Sequence, residues 1–96
     1  MSYKFKTTFW QDFTIADAFG DNAIKDTFNR AFKEWKSNVE YITELSMVLN
    51  WKCWHWYDHK NMTRSKLYAD FYYKVDDWCK DHLKGDDLKY YLDTTD

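Results

Sequence analysis

The residues in this sequence that are best suited to chemistry are two cysteines and three histidines. His55 and His59 lie four residues apart, and Cys79 and His82 lie three apart. Either spacing allows one helix to offer two ligands to a zinc ion. If the two helices involved are antiparallel, however, the pairs are separated by roughly 20 Å at 1.5 Å per residue. We therefore expect no metal and no other cofactor, with Cys53 and Cys79 as core thiols and the histidines at the surface.

The sequence pattern does not predict a cluster of catalytic side chains either. Each cysteine falls on an apolar helical face, where a thiol behaves as a small hydrophobic side chain. Nearly all carboxylates fall on polar faces, and no pair is forced into an apolar pocket as acid–base catalysis requires. We expect no enzyme and no catalytic residues, and a small enzyme or metal-binding domain remains an alternative.

Aromatic residues dominate the composition. The 96-residue chain has seven Phe, eight Tyr and six Trp, but no proline and only two glycines. Each buried aromatic ring removes a large area from water, so a few such residues fill a core. Because little in the chain interrupts a helix, the composition predicts one helical domain over residues 1–96.

Charge and hydropathy bear on the kind of partner. Fourteen Lys and Arg against sixteen Asp and Glu give a net charge of −2, whereas nucleic-acid binders usually have a basic excess. Lys4, Lys6 and Trp10 interleave charge with aromatic rings, so a nucleic-acid-binding accessory factor remains an alternative. The first residues lack the apolar run of a signal peptide, and no apolar run is long enough for a membrane span. We expect a cytoplasmic protein with free thiols and no membrane contact.

The first third of the chain is predicted to contain an arm and two helices. Residues 3–10 alternate in polarity without a second alternating run, which favours an extended arm over residues 1–10 rather than a small strand. A short helix is expected over residues 12–19, ended by Gly20 in the left-handed conformation. Asp21 is expected to cap the second helix. The apolar stripe of that helix is Ile24, Phe28, Ala31, Phe32 and Trp35.

A longer third helix is predicted next. Ser37 and Glu40 have the spacing of a capping box, and the helix is expected to end near Tyr57 or Asp58. Its apolar residues extend most of the way round, which is typical of a central helix. Its main face is Ile42, Leu45, Leu49, Cys53 and Trp56.

The rest of the chain predicts one long helix and one short one. Asn61 or Thr63 is expected to cap the fourth helix, and residues 83–85 to close it. A short last helix begins near Asp86, and residues 93–96 are expected to fray. The result is an all-α fold in which three longer helices form a bundle between the two short ones. The predicted core is Phe28, Phe32, Trp35, Ile42, Leu45, Leu49, Trp56, Phe71, Val75 and Trp78.

Four apolar residues fall outside these core faces and are candidates for binding a protein. Met47, Trp51 and Trp54 form a stripe among the acidic residues of the third helix, and Tyr73 lies on the polar side of the fourth. The arm and first helix could cover the stripe, and this is one expectation. The other is an exposed patch that binds an unknown protein partner or closes a homodimer.

Several segments resemble small uncharacterised proteins encoded on phages and conjugative elements of gut bacteria. They are Thr7–Gly20 (TTFWQDFTIADAFG), Ile24–Thr27 (IKDT), Ala31–Lys36 (AFKEWK), Thr43–Leu45, Val48–Asn50, Leu83–Gly85 and Thr94–Asp96. The resemblance implies a small accessory protein of a mobile genetic element. Such proteins often bind a host or element protein, and some inhibit defence systems such as CRISPR nucleases. We therefore expect a non-catalytic protein that acts by stoichiometric protein–protein interaction.

Overall fold

α-Helices account for most of residues 6–95, which are the residues that the computed structural model describes. The helices are α1 (Phe9–Phe19), α2 (Asp21–Trp35), α3 (Val39–Asp58), α4 (Met62–His82) and α5 (Gly85–Thr95). The all-α prediction, with three longer helices between two short ones, is confirmed over this range. None of the described helices is both long enough and apolar enough to cross a bilayer.

The extended arm was predicted to reach Trp10, and this boundary is wrong. Phe9 and Trp10 belong to α1, whose first hydrogen bond joins the Asp12 amide to the Thr8 carbonyl at 2.8 Å. The Phe9 ring is buried in the core, and this burial favours helix over the extended alternation of the local sequence. Residues 1–5, which carry the rest of the predicted arm, lie outside the described residues.

Gly20 is the single residue between α1 and α2. It ends α1 as predicted, with φ +116° and an extended ψ of −179° rather than the left-handed helical conformation. The predicted Asp21 cap is wrong, because Asp21 is already the first residue of α2. Its carboxylate instead accepts a hydrogen bond from Nε of Arg64 at 3.1 Å.

Helices α3 and α4 are each capped at the N-terminus by an asparagine. The predicted Ser37–Glu40 capping box is wrong, because the side chain of Asn38 accepts the Tyr41 amide at 3.2 Å. Asn61 caps α4 as one of the two predicted candidates, and its side chain accepts the Arg64 amide at 3.0 Å.

The C-terminal segment is better ordered than the sequence predicted. Gly85, with φ +58°, begins α5 rather than closing α4. The predicted fraying from Asp93 is wrong up to Thr95, because the helix continues to that residue. Tyr91 anchors it: the Tyr91 hydroxyl is buried and donates to the Asp76 carboxylate at 2.6 Å.

Helix α3 lies at the centre and packs against each of the other four described helices. Five of the ten predicted core residues are fully buried: Phe28, Ile42, Leu45, Leu49 and Val75. The other five are half-buried at the margin of the core: Phe32, Trp35, Trp56, Phe71 and Trp78. Tryptophan is too large to be enclosed easily, so smaller rings and aliphatic side chains occupy the centre. The buried hydrophobic residues missing from the predicted core are Phe9, Phe13, Ala16, Ile24, Ala31, Val48, Tyr68, Cys79 and Tyr91.

Candidate functional site

The predicted binding stripe of Met47, Trp51 and Trp54, called the strip from here on, lies along the solvent-facing side of α3. Met47 is half-buried, Trp51 is 38% exposed and Trp54 is 57% exposed. The Trp54 ring packs edge-on against Tyr57, with the centroids 5.6 Å apart. Within the described residues, α1 binds to a neighbouring side of α3 and leaves Trp54 more than half exposed. The predicted role of this strip in binding stays a prediction.

Tyr73 lies on α4 and is 61% exposed. Its ring contacts Tyr72 edge-on, with a centroid separation of 5.5 Å. Its neighbours Tyr72 and Asp76 border a hollow between α4 and α5, and no residue of α1 or α3 lines this hollow. The four predicted binding residues therefore lie on two different helices, and Tyr73 is a separate exposed ring.

A second apolar surface lies between α1 and α2, and it contains none of the predicted binding residues. It is a groove with a volume of about 480 Å³. Ile15 and Phe19, four residues apart on α1, are 57% and 80% exposed beside it. The apolar residues that line the groove are Phe9, Ile15, Ala16, Phe19, Ala23, Ala31 and Trp35. The short alanine side chains leave the space between the helices unfilled, so the surface is concave.

Charged side chains edge the groove. Asp26, Arg30 and Glu34 line it from α2 and are all exposed. Because they are four residues apart, they lie along one side of the helix in the order negative, positive, negative. Asp12 adds another carboxylate from the first turn of α1. The four charged groups together carry a net charge of −2.

The position of α1, and so of the groove, depends on a buried polar cluster. The Lys52 ammonium donates to the Asp17 carboxylate at 2.9 Å, and the two side chains are only 2% and 9% exposed. The same ammonium donates to the Thr14 hydroxyl at 2.8 Å and lies 4.3 Å from the centroid of the Trp10 ring. Charges this deeply buried need such partners, because losing their hydration is costly. They fix α1 against α3 in one register.

Helix α4 completes this cluster. The Tyr68 hydroxyl donates to Asp17 at 2.5 Å, and Nη1 of Arg64 donates to the Asp17 carbonyl oxygen at 3.1 Å. Burial, followed by the hydrogen bond to Asp17, raises the pKa of Tyr68 above its usual value. The Trp56 indole N–H also donates to the carboxylate, at 3.3 Å. The Asp17 carboxylate, the Tyr68 hydroxyl and the Lys52 ammonium thus satisfy one another's hydrogen-bonding groups. This arrangement indicates that the cluster has a structural role.

The cysteines and histidines are distributed between the core and the surface. Burial, with a smaller effect of Asp76, raises the pKa of the Cys79 thiol to about 12. His55 and His59 pack with ring centroids 4.3 Å apart. The pKa of His55 is lowered, first by burial and then by His59 and Lys52. Within residues 6–95, no group of three His, Cys, Asp or Glu side chains could hold a metal ion.

Comparisons with known proteins give no match: no protein-family model, no curated protein and no solved structure corresponds to this chain.

The signal for the groove was present in α1 itself. The buried face of α1 consists of Phe9, Phe13 and Ala16. A different side of the same helix carries Ile15 and Phe19, which are exposed. A short helix can bury only one side against its neighbours. Apolar residues on two sides therefore indicated that one set is left exposed.

Proposed function

We propose that this chain is a non-catalytic, cytoplasmic protein-binding domain that acts by stoichiometric interaction with one protein partner. The observation that carries the proposal is the exposure of Ile15 and Phe19 beside a concave apolar groove. Contiguous exposed apolar surface with a polar rim is typical of protein-binding sites. The Asp17–Lys52 ion pair holds the helix that presents this surface against α3.

The charges near the groove favour a protein over a nucleic acid as the partner. Binding to DNA or RNA depends mainly on neutralising phosphates with Lys and Arg. The groove has three carboxylates and one guanidinium, which would repel a phosphate backbone. Fluorescence anisotropy with labelled single- and double-stranded DNA tests this alternative. Micromolar binding that weakens steeply with salt would support the nucleic-acid function against our proposal.

The resemblance to small proteins of phages and conjugative elements provides the biological context of the proposal. The partner is then a host or element protein, and a defence nuclease of the CRISPR type is one case. An inhibitor of this kind needs a binding surface and no chemistry of its own.

Affinity capture with matched surface variants tests the proposed function. The tagged chain is expressed in its native host as wild type and as an Ile15→Ser/Phe19→Ser double variant. Met62→Ser is the control, since Met62 is also an exposed apolar side chain and does not line the groove. We expect the proteins enriched by wild type to be lost only from the double variant. If the double variant retains all of them, the groove is not the binding surface.

The strip on α3 is tested in the same experiment. A Trp54→Ser variant that loses the partner while the groove variant keeps it would assign binding to the strip. Light scattering at micromolar concentration tests the alternative that the strip closes a homodimer. A monomeric mass for wild type excludes it, whereas a dimer that Trp54→Glu dissociates confirms it.

A further inference from the structure

The charged edge of the groove has a pattern that selects among protein partners. Asp26, Arg30 and Glu34 span nine residues of α2, or about 12 Å along the helix. Their signs alternate at four-residue intervals, which is also the interval at which one helix presents side chains to another. We propose that the groove binds an amphipathic helix of a partner protein whose charges alternate as positive, negative, positive at four-residue spacing. This inference rests on the proposed protein-binding function.

The shape of the groove favours a helix as its occupant. It runs between two helices joined by Gly20 alone, and its lining extends from Ala23 to Trp35 on α2. This length is about 18 Å, or a little more than three helical turns. A helix that presents large apolar side chains at positions i, i+4 and i+7 spans about 10 Å, which fits within it.

The charges also determine which helix fits. Three lining carboxylates, including Asp12, exceed the single Arg30, so the partner should be basic overall. A second copy of this chain would bring the same edge with the same net charge of −2, and two such edges repel each other. The pattern positive, negative, positive reads the same from either end. The proposed complementarity therefore holds for both directions of the bound helix.

The exposure of the apolar residues indicates where the affinity comes from. Phe19 is 80% exposed, and a bound helix could cover much of its ring. Aromatic anchors at the centre of an interface usually dominate its binding energy. Exposed charge pairs contribute less to affinity and more to the choice of partner.

Two stapled helical peptides test the proposal directly. Both carry leucine at positions i, i+4 and i+7. One has Lys, Glu and Lys at four-residue spacing on the flank, and the other has Glu, Lys and Glu. We expect the Lys–Glu–Lys peptide to bind at least about tenfold more tightly at low salt, with a smaller difference as salt rises. Calorimetric titration at two ionic strengths measures both affinities.

Protein variants make the test specific to these residues. The exchange variant Asp26→Lys/Arg30→Glu/Glu34→Lys should reverse the peptide preference, and its fold should be unaffected because all three side chains are exposed. Phe19→Ser should weaken both peptides, whereas Met62→Ser should weaken neither. Thermal melts of all variants check that they remain folded.

The outcomes separate this inference from the function on which it rests. Equal affinity for the two peptides, or a preference that the exchange variant does not reverse, overturns the charge recognition. No binding of either peptide at millimolar concentration overturns the helical occupant. If the peptides fail but Ile15→Ser/Phe19→Ser still loses its captured partners, the proposed function stands and the helical partner alone is wrong.

Discussion

Replacing Asp17 with alanine removes the carboxylate that neutralises Lys52 in the interior. The Lys52 ammonium would then keep only the Thr14 hydroxyl and the face of the Trp10 ring as partners. The Tyr68 hydroxyl would lose its acceptor at the same time. The substitution therefore leaves a buried charge and a buried donor unsatisfied, and it should act on the docking of α1.

The expected cost follows from the depth of the pair. Removing one partner of a buried ion pair typically costs about 3–5 kcal/mol. Domains of about this length have a total stability of roughly 5–15 kcal/mol. One kcal/mol corresponds to roughly 4–8 °C in Tm for a domain of 60–100 residues, so we expect Asp17→Ala to lower the Tm by more than about 12 °C.

Urea denaturation followed by circular dichroism measures this loss. Lys80→Ala is the matched control, because Lys80 pairs with Asp76 at the same 2.9 Å distance but its side chain is 56% exposed. It should cost far less than Asp17→Ala, because solvent screens an exposed ion pair. A double variant, Asp17→Asn/Lys52→Met, keeps an acceptor and removes the charge, and it should recover most of the stability. If Asp17→Ala costs no more than Lys80→Ala, the pair does not hold α1 in place.

Three further predictions concern the core and its margins. Phe28→Ala removes a fully buried ring and should lower the free energy of unfolding by about 3–5 kcal/mol in urea titrations; a loss below 1 kcal/mol would contradict its central position. Tyr91→Phe removes the hydrogen bonds to Asp76 and Ser46 and should cost about 1.5–3 kcal/mol, with faster amide exchange in α5 as the second readout. In a Cys53→Ser background, Cys79 should react with Ellman's reagent at pH 8 only at the rate of unfolding, since the side chain is fully buried and burial raises the pKa of the thiol. A rapid reaction of the native protein would show that this thiol is accessible and ionised.

The longer helices could be predicted because their signals are local. The apolar stripe of α2 and the Asn61 cap of α4 depend on residues within a few turns of each other, and the structure confirms both. The order of the C-terminal residues, in contrast, could not be predicted from the sequence. The hydroxyl of Tyr91 reaches Ser46 and Asp76, 45 and 15 residues away, and no local pattern reports such contacts.

The interior polar residues show the same limit. Lys52 lies on a helix rich in tryptophan, and its type alone predicts exposure. It is buried because Asp17, 35 residues earlier, provides the opposite charge. The exposed groove was missed for a related reason. The two apolar sides of α1 indicated that one of them is exposed, but which side is covered depends on how α1 packs in the tertiary structure.

The distance in sequence between Asp17 and Lys52 also has a consequence for the order of folding. The residues between α3 and α4 number only three, so these two helices can pair early, whereas the closing of α1 onto α3 requires a longer loop. Until Asp17 arrives, the Lys52 ammonium remains hydrated. We therefore expect α1 to dock last and, in the native protein, to detach first, so that its amide hydrogens exchange with solvent before those of α3. A partner that covers Ile15 and Phe19 would hold this helix in place, and slower exchange across α1 would report its binding.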